Sequence, residues 1–296
     1  MASMRDIKRR RTSIQGTQQI TKAMKLVSTV KLQRARANAE KSHSFFDRMY
    51  TTMCSILSRV GETDQKYLKG NDSNRKAVVV ITSNRGLAGG YNSNVVRLIT
   101  QNPDFAKEDL DLYTIGNKGY EAFHRHGYRV VRNLPDIIEA PTYEDASGLS
   151  KILLESFLNG EIGEIYVAYT FFKNTVSHVP TLTKLLPLEV EPDEEKASEE
   201  DKSAEKGKAE AIMNFEPGDE EVLDLLIPKY IGGQLHGALI EAIASENGAR
   251  MQAMDNATNN AEDMITDLTL KYNRARQGSI TQELTEIIAG SEALNA

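Results

Sequence analysis

At 296 residues, 40% apolar and 26% charged, the chain is long enough to bury one or two cores and has the composition of a soluble protein. Its longest apolar run, Ala77 to Ile81, is far too short to span a bilayer, and its single cysteine, Cys54, excludes an intrachain disulfide and a multi-cysteine metal site. The net charge of −6 hides an asymmetry: Met1 to Lys41 holds eleven Lys and Arg against two acids, a net of +9, and Glu189 to Asp224 holds fifteen acids against four lysines, a net of −11. The basic arm fits an anionic surface, nucleic acid or protein; the acidic run reads as a solvated loop.

All eight prolines fall between Pro103 and Pro228, so both ends of the chain are free of the strongest helix breaker. Residues 1–60 are rich in helix formers and are expected to form one long helix, roughly 90 Å at about 1.5 Å per residue, part of which must project from a small domain. Its first half has a thin apolar seam (Ile7, Ile14, Ile20, Met24, Val27, Val30). Its second half has a wider face, Phe45 to Val60, suited to packing on a globular domain. After a polar linker, the β-branched run Ala77 to Thr82 predicts a buried strand, residues 83–90 a loop, and Tyr91 to Thr100 a helix. Asp111 to Ile115 reads as a strand, Lys118 to Arg125 as a helix, Tyr128 to Val131 as a short strand and Tyr143 to Leu158 as a helix. Glu164 to Phe172 and His178 to Leu188 read as a hairpin. Strands alternating with helices predict a mostly parallel sheet covered on both faces, closed by an antiparallel edge.

Glu191 to Lys208 carries almost no large apolar residue and is expected to be a mobile acidic loop. Ala211 to Phe215 is a candidate last strand, and helix resumes near Gly218, with Pro228 as its one candidate break. The C-terminal segment from Ser245 carries a narrow small-residue stripe, Ala249, Ala253, Ala257, Ala261, Met264, Leu268, Tyr272 and Ala275, which suits close contact with one other helix. The expected organisation is 1–60 an N-terminal helix, 75–190 an α/β domain, 191–210 an acidic flexible loop, and 211–296 a last strand and C-terminal helix. The inserted domain brings the inner ends of the terminal helices together, so they can pair antiparallel.

Catalytic chemistry is hard to find. The loop with Gly86, Gly89 and Gly90 sits where a nucleotide-binding α/β protein puts its phosphate loop, but it has neither G-x-G-x-x-G nor Gly-Lys-Ser/Thr spacing and reads as a tight turn. His124 and His126 lack acids or cysteines at ligand spacing, and no Ser-His-Asp arrangement appears. Cys54 lies on an apolar helix face, as a small core residue does. No catalytic residue, cofactor-binding residue or metal ligand is assigned, and no cofactor is expected. In Ile14 to Leu32 polar and apolar residues are mixed around the whole helix, and in Arg276 to Ala289 polar residues again encircle it. Such a helix lies in water or turns within a partner that must not grip it.

Three stretches resemble the gamma subunit family of F-type ATP synthases: MRDIKRRRTSIQGTQQITKAMKLVSTVKL at the start, ITSNRGLAGGYNSN after the first strand, and SENGARMQAMDNATNNAEDMI with YNRARQGSITQELTEIIAGSEAL at the end. The likeness covers nearly the whole chain. Ala88 stands where the family commonly has Cys, and Ser291 where it has Ala; both swaps are small for small. The chain lacks the cysteine pair of the redox-regulated chloroplast type and a transit segment, so the likeness is to the bacterial type.

The resemblance implies a fold in which long N- and C-terminal helices form an antiparallel coiled coil with an inserted Rossmann-like α/β domain. It implies a central-stalk rotor without a catalytic site of its own. The partners would be the alpha and beta subunits of the catalytic ring, the epsilon subunit and the c-subunit ring, with no nucleic acid. The chain would sit peripherally at the cytoplasmic face of the bacterial membrane, touching the membrane only through the complex. By matching position, contacts with the ring fall on Met24, Lys25, Arg250, Arg276, Gln277, Thr281 and Glu283. The second reading, from the basic arm alone, is a coiled-coil nucleic-acid-binding protein whose binding weakens steeply with salt. A third, a nucleotide-dependent α/β enzyme, is opposed by the missing phosphate-loop lysine.

Overall fold

The computed structural model describes residues 4–60, 66–175, 177–188 and 218–295. The expected strand at 211–215, the acidic segment 191–210 and the side chain of Cys54 lie outside the described residues. The chain divides into two compact units, one of Met1–Val30 with Arg250–Ala296, the other Lys31–Ala249.

The larger unit is built on a five-stranded sheet. Its strands are β1 (Lys76–Ile81), β2 (Leu110–Ile115), β3 (Val130–Asn133), β4 (Glu164–Phe172) and β5 (His178–Leu186), in the order β3-β2-β1-β4-β5. β1 pairs parallel with β2 and β4, β2 parallel with β3, and β4 antiparallel with β5. The mostly parallel sheet with an antiparallel edge thus forms as expected. β1 is central because AVVVI is apolar at every position and can be covered on both faces. Alternate side chains feed two cores. Ala77, Val79 and Ile81 join Ile115, Ile165 and Val167 beneath helix α4 (Tyr143–Leu158). Val78 and Val80 join Leu112 and Ala168 beneath α2 (Tyr91–Thr100) and α3 (Asn117–Arg125).

Helix ends follow local chemistry. The Thr142 hydroxyl accepts the Asp145 N–H at 3.2 Å and the Asp145 carboxylate accepts the Thr142 N–H at 3.2 Å, a reciprocal cap that starts α4. At Gly116, φ is 102° and a Cβ would collide with the Thr82 carbonyl, so only glycine fits there. Thr82, read as the end of the first strand, turns in instead: its N–H donates to the Ile115 carbonyl at 2.8 Å and its hydroxyl accepts the Gly119 N–H at 2.9 Å. The strand expected at Tyr128 to Val131 forms two residues later. Tyr128 is used to close α3, its N–H donating to the Phe123 carbonyl at 3.0 Å and its ring meeting Phe123 edge-on at 5.5 Å. β5 ends at Leu186, before Pro187, which has no N–H to donate.

Two long helices frame the chain: α1 (Met4–Val60) and α5 (Asp219–Asn295). Within the larger unit, Met53 and Ile56 of α1 and Leu223, Ile227, Ile231 and Leu235 of α5 are buried in the core that covers α4's face of the sheet. Pro228 does not break α5. A helix-interior proline costs about 3 kcal/mol, whereas each fully buried Leu or Ile contributes about 1.5–3 kcal/mol. Leu223, Ile227 and Ile231 bracket it, and their burial outweighs that cost.

Candidate partner interface on the helix pair

The smaller unit holds residues 4–30 of α1 and 250–295 of α5. Its cross-helix contacts run in opposite directions along the two segments: Arg11 with Tyr272, Thr21 with Thr258, Lys25 with Asp255. The helices here are antiparallel.

The seam between them follows steps of three and four. On α1 it takes Ile7, Arg11, Ile14, Gln18, Thr21, Lys25 and Ser28. On α5 it takes Met254, Thr258, Ala261, Ile265, Leu268, Tyr272 and Ala275. This corrects two sequence expectations. Met264 is exposed, and Ile265 takes its place beside Leu268. On α1 the inversion is larger: Ile20, Leu26, Val27 and Val30 face solvent, Ile20 with 63% of its surface exposed, while Thr21 is 8% and Ser28 2% exposed. The reason is period. Ile20, Val27 and Val30 sit one or two residues off the three-four register that Ile7 and Ile14 set, and a 3.6-residue helix turns them outward.

The threonines of the seam are satisfied locally, whereas Arg11 Nε is buried with no hydrogen-bond partner. The Thr21 and Thr258 hydroxyls lie 2.8 Å apart; one donates across, the other to its own helix at the Gln18 or Met254 carbonyl. Lys25 Nζ meets Asp255 Oδ1 at 2.6 Å with both side chains more than a third exposed, a pair worth at most about 1 kcal/mol. The half-buried Arg11 guanidinium lies over the Tyr272 ring, 5.5 Å from its centroid, a contact worth about 1 kcal/mol. None of these grips strongly.

The seven expected contact residues fall at two levels. Met24, Lys25 and Arg250 are half-buried near the Lys25–Asp255 pair. Arg276, Gln277, Thr281 and Glu283 are exposed on a later stretch of α5. At 1.5 Å per residue, Arg250 and Arg276 stand about 40 Å apart along the helix, so the set is two bands rather than one site. In the second band Ser279 Oγ donates to Glu283 Oε1 at 3.4 Å and Thr285 Oγ1 to the Thr281 carbonyl at 2.9 Å. Beside these bands lie residues that the sequence reading did not single out, exposed Leu26 on α1 and exposed Ile280, Leu284, Ile287 and Ile288, one apolar face at helical spacing on α5, together with Ile20, Val27 and Val30, which it had placed in the seam. The signal was available in the spacing, since each falls off the seam register.

At the carboxyl end of the parallel strands, the loop 83–90 is held by its neighbours. The Asn92 carboxamide oxygen accepts the Ser83 N–H at 2.9 Å, and Asn84 donates to the Pro135 carbonyl at 2.8 Å and accepts the Asn117 N–H at 3.1 Å. Leu87 here has φ 63° and is exposed. Among the described residues no cluster of His, Cys, Asp and Glu is arranged to hold a metal ion, and no helix is long and apolar enough to cross a membrane. His124 stacks on Tyr120 at 5.6 Å.

Comparison with known proteins bears on what these bands meet. A family model described as ATP synthase matches residues 3–294. An ATP synthase gamma chain of Lachnoclostridium phytofermentans is 58% identical over 295 residues, 100% of each chain. That of Alkaliphilus metalliredigens is 43% identical over 292 residues, 98% of each. A chain in the OSCP, F1 and c-ring structure of the Euglena gracilis mitochondrial ATP synthase, 21% identical, shares the fold with a TM-score of 0.65, over 98% of this chain and 94% of that one.

Proposed function

The chain belongs to the ATP synthase gamma-chain family, and from that premise we propose that it is the central-stalk rotor of an F-type ATP synthase. The observation that carries the reading is the 58% identity to a gamma chain along the whole length of both proteins. The paired segments of α1 and α5 act as an antiparallel coiled coil inside a ring of alternating alpha and beta subunits. The α/β domain 75–190 meets the epsilon subunit and the c ring. Ion flow turns the c ring and the shaft with it. Each beta subunit then faces a different side of an asymmetric shaft, and its nucleotide affinity shifts by differential contact. ATP chemistry stays in the ring, and this chain supplies no catalytic group. It reaches the cytoplasmic face of the bacterial membrane through the complex.

The exposed side chains support this division of labour. Outward Ile20, Leu26, Val27 and Val30 on α1 and Ile280, Leu284, Ile287 and Ile288 on α5 give an apolar surface that slides without directional bonds. Met24, Lys25, Arg250, Arg276, Gln277, Thr281 and Glu283 supply the polar contacts. They are spread over two levels, so they would meet the ring at two heights along the shaft.

Co-expression with the alpha and beta subunits of the same source, followed by sizing and an ATPase assay, tests the reading. One copy per hexameric ring, with activity that depends on it, is the expected result. A ring that forms and works without the chain overturns it, and salt-dependent nucleic-acid binding by the free chain would then favour the second reading, a coiled-coil nucleic-acid-binding protein.

A further inference from the structure

In the larger unit, four residues from four elements form one chain of contacts: Arg36 of α1, Phe172 of β4, His178 of β5 and Gly248 of α5. The Arg36 guanidinium lies 5.9 Å from the Phe172 ring centroid. Phe172 pairs with His178 across the β4–β5 ladder, and the two rings meet edge-on at 5.9 Å and 72°. His178 in turn fills the space where a side chain on residue 248 would stand. Its Cε1 and Cδ2 lie 3.3 and 3.5 Å from the position of a Cβ there, with Nε2 nearer still. Gly248 is buried within a continuous helix, where alanine would be the better helix former. Gly237, Gly278 and Gly290 of the same helix face open space, so crowding by a neighbour does not explain them as it explains Gly248.

We infer that His178 seated against Gly248 is a lock that fastens α5 to the β4–β5 hairpin, with Phe172 and Arg36 tying the same hairpin to α1. Retreat of the imidazole removes its edge-on contact with Phe172, so the hairpin and both helices hold or loosen together. The mechanical consequence rests on the rotor reading: torque entering the α/β domain passes to the helices through this contact, and His178 and Gly248 are positioning residues for that transfer.

The lock predicts a reversal of sign. In the parent chain, Gly248→Ala places a methyl group in the imidazole's seat and frees the hairpin. In a His178→Ala background the seat is empty, and the same change strengthens the helix. Hydrogen exchange of the full-length chain reads this directly. Gly248→Ala alone is expected to speed exchange of the β5 amides about tenfold, and added to His178→Ala it is expected to slow exchange of the α5 amides around 248. Parent-like exchange in Gly248→Ala, or equal loss in both backgrounds, overturns the lock. In the assembled complex, torsional stiffness measured from the angular fluctuation of a bead on the α/β domain is expected to fall in Gly248→Ala. Unchanged stiffness together with the exchange reversal overturns the role in torque transfer. Failure of the parent chain to join a ring sinks the rotor reading and leaves the exchange result to decide the lock.

Discussion

The two units of this chain solve opposite problems with the same element, a long helix. In the larger unit α1 and α5 present Met53, Ile56, Leu223, Ile227, Ile231 and Leu235 inward, and all are buried. In the smaller unit the same helices turn Thr21, Ser28 and Gln18 toward each other and leave Ile20, Val27 and Val30 outside. One region is stabilised by what it buries within itself. The other buries only a narrow seam and leaves much of its apolar surface exposed. Where a helix puts its isoleucines is therefore a guide to whether its partner lies within the chain or beyond it.

The contrast is sharpest where a core side chain is removed. Phe123 is fully buried on the α2–α3 face, and Phe123→Ala is expected to cost about 3–5 kcal/mol in denaturant unfolding. A loss below about 1 kcal/mol would mean that this face does not hold the sheet. In the smaller unit the scale falls. Thr21→Val removes one partner of the hydroxyl pair, leaving Thr258 only its bond to the Met254 carbonyl, and is expected to cost about 1 kcal/mol, while adding Thr258→Val restores most of it. Melting of the helical signal in the two variants checks this. If the double variant is no better than the single, the hydroxyl pair is not what the seam depends on.

A smaller effect sits at the start of β4. Burial alone would raise the Glu164 carboxyl, but hydrogen bonds from Lys76, Tyr166 and Lys184 outweigh it and hold the carboxyl below its ordinary range. The folded state thus prefers the charged form. This stabilisation is present in full above the unfolded carboxylate range and is lost as pH falls through the lower folded value. Glu164→Gln is expected to flatten stability against pH between those two values, and an unaltered slope would count against the network. The smallest effect is expected at Ile287, 67% exposed. Ile287→Ser should leave the stability of the free chain within about 0.5 kcal/mol while lowering the yield of ring that co-purifies with it. Equal yield would mean that this apolar face has no partner.

The α/β domain was legible because its signals are local. AVVVI, the loop glycines and the Thr142–Asp145 cap each specify a boundary within a few residues, and α2 and α4 form where the sequence puts them. The seam was less so. Ala253, Ala257 and Met264 look like a stripe because they too fall at steps of three and four, but the packed register has a different phase there and selects Thr258 and Ile265. A threonine in a seam carries no hydrophobic signal, so only the spacing reveals it. Pro228 misled for a related reason. Its cost is local, while the burial that overrides it comes from a sheet formed earlier in the chain.

That last dependence sets a timetable for synthesis. The core beneath α4 contains Met53 and Ile56 from α1 and Leu239 and Ala242 from α5. At about 5–20 residues per second, roughly 10–40 s pass between the emergence of the first pair and the second. During that interval the apolar face of α1 has left the ribosome and its cover has not yet been made. Release of the nascent chain before Ala242 would deliver a sheet whose α4 side lacks part of its cover from α5, a form that a holdase chaperone or a protease would recognise.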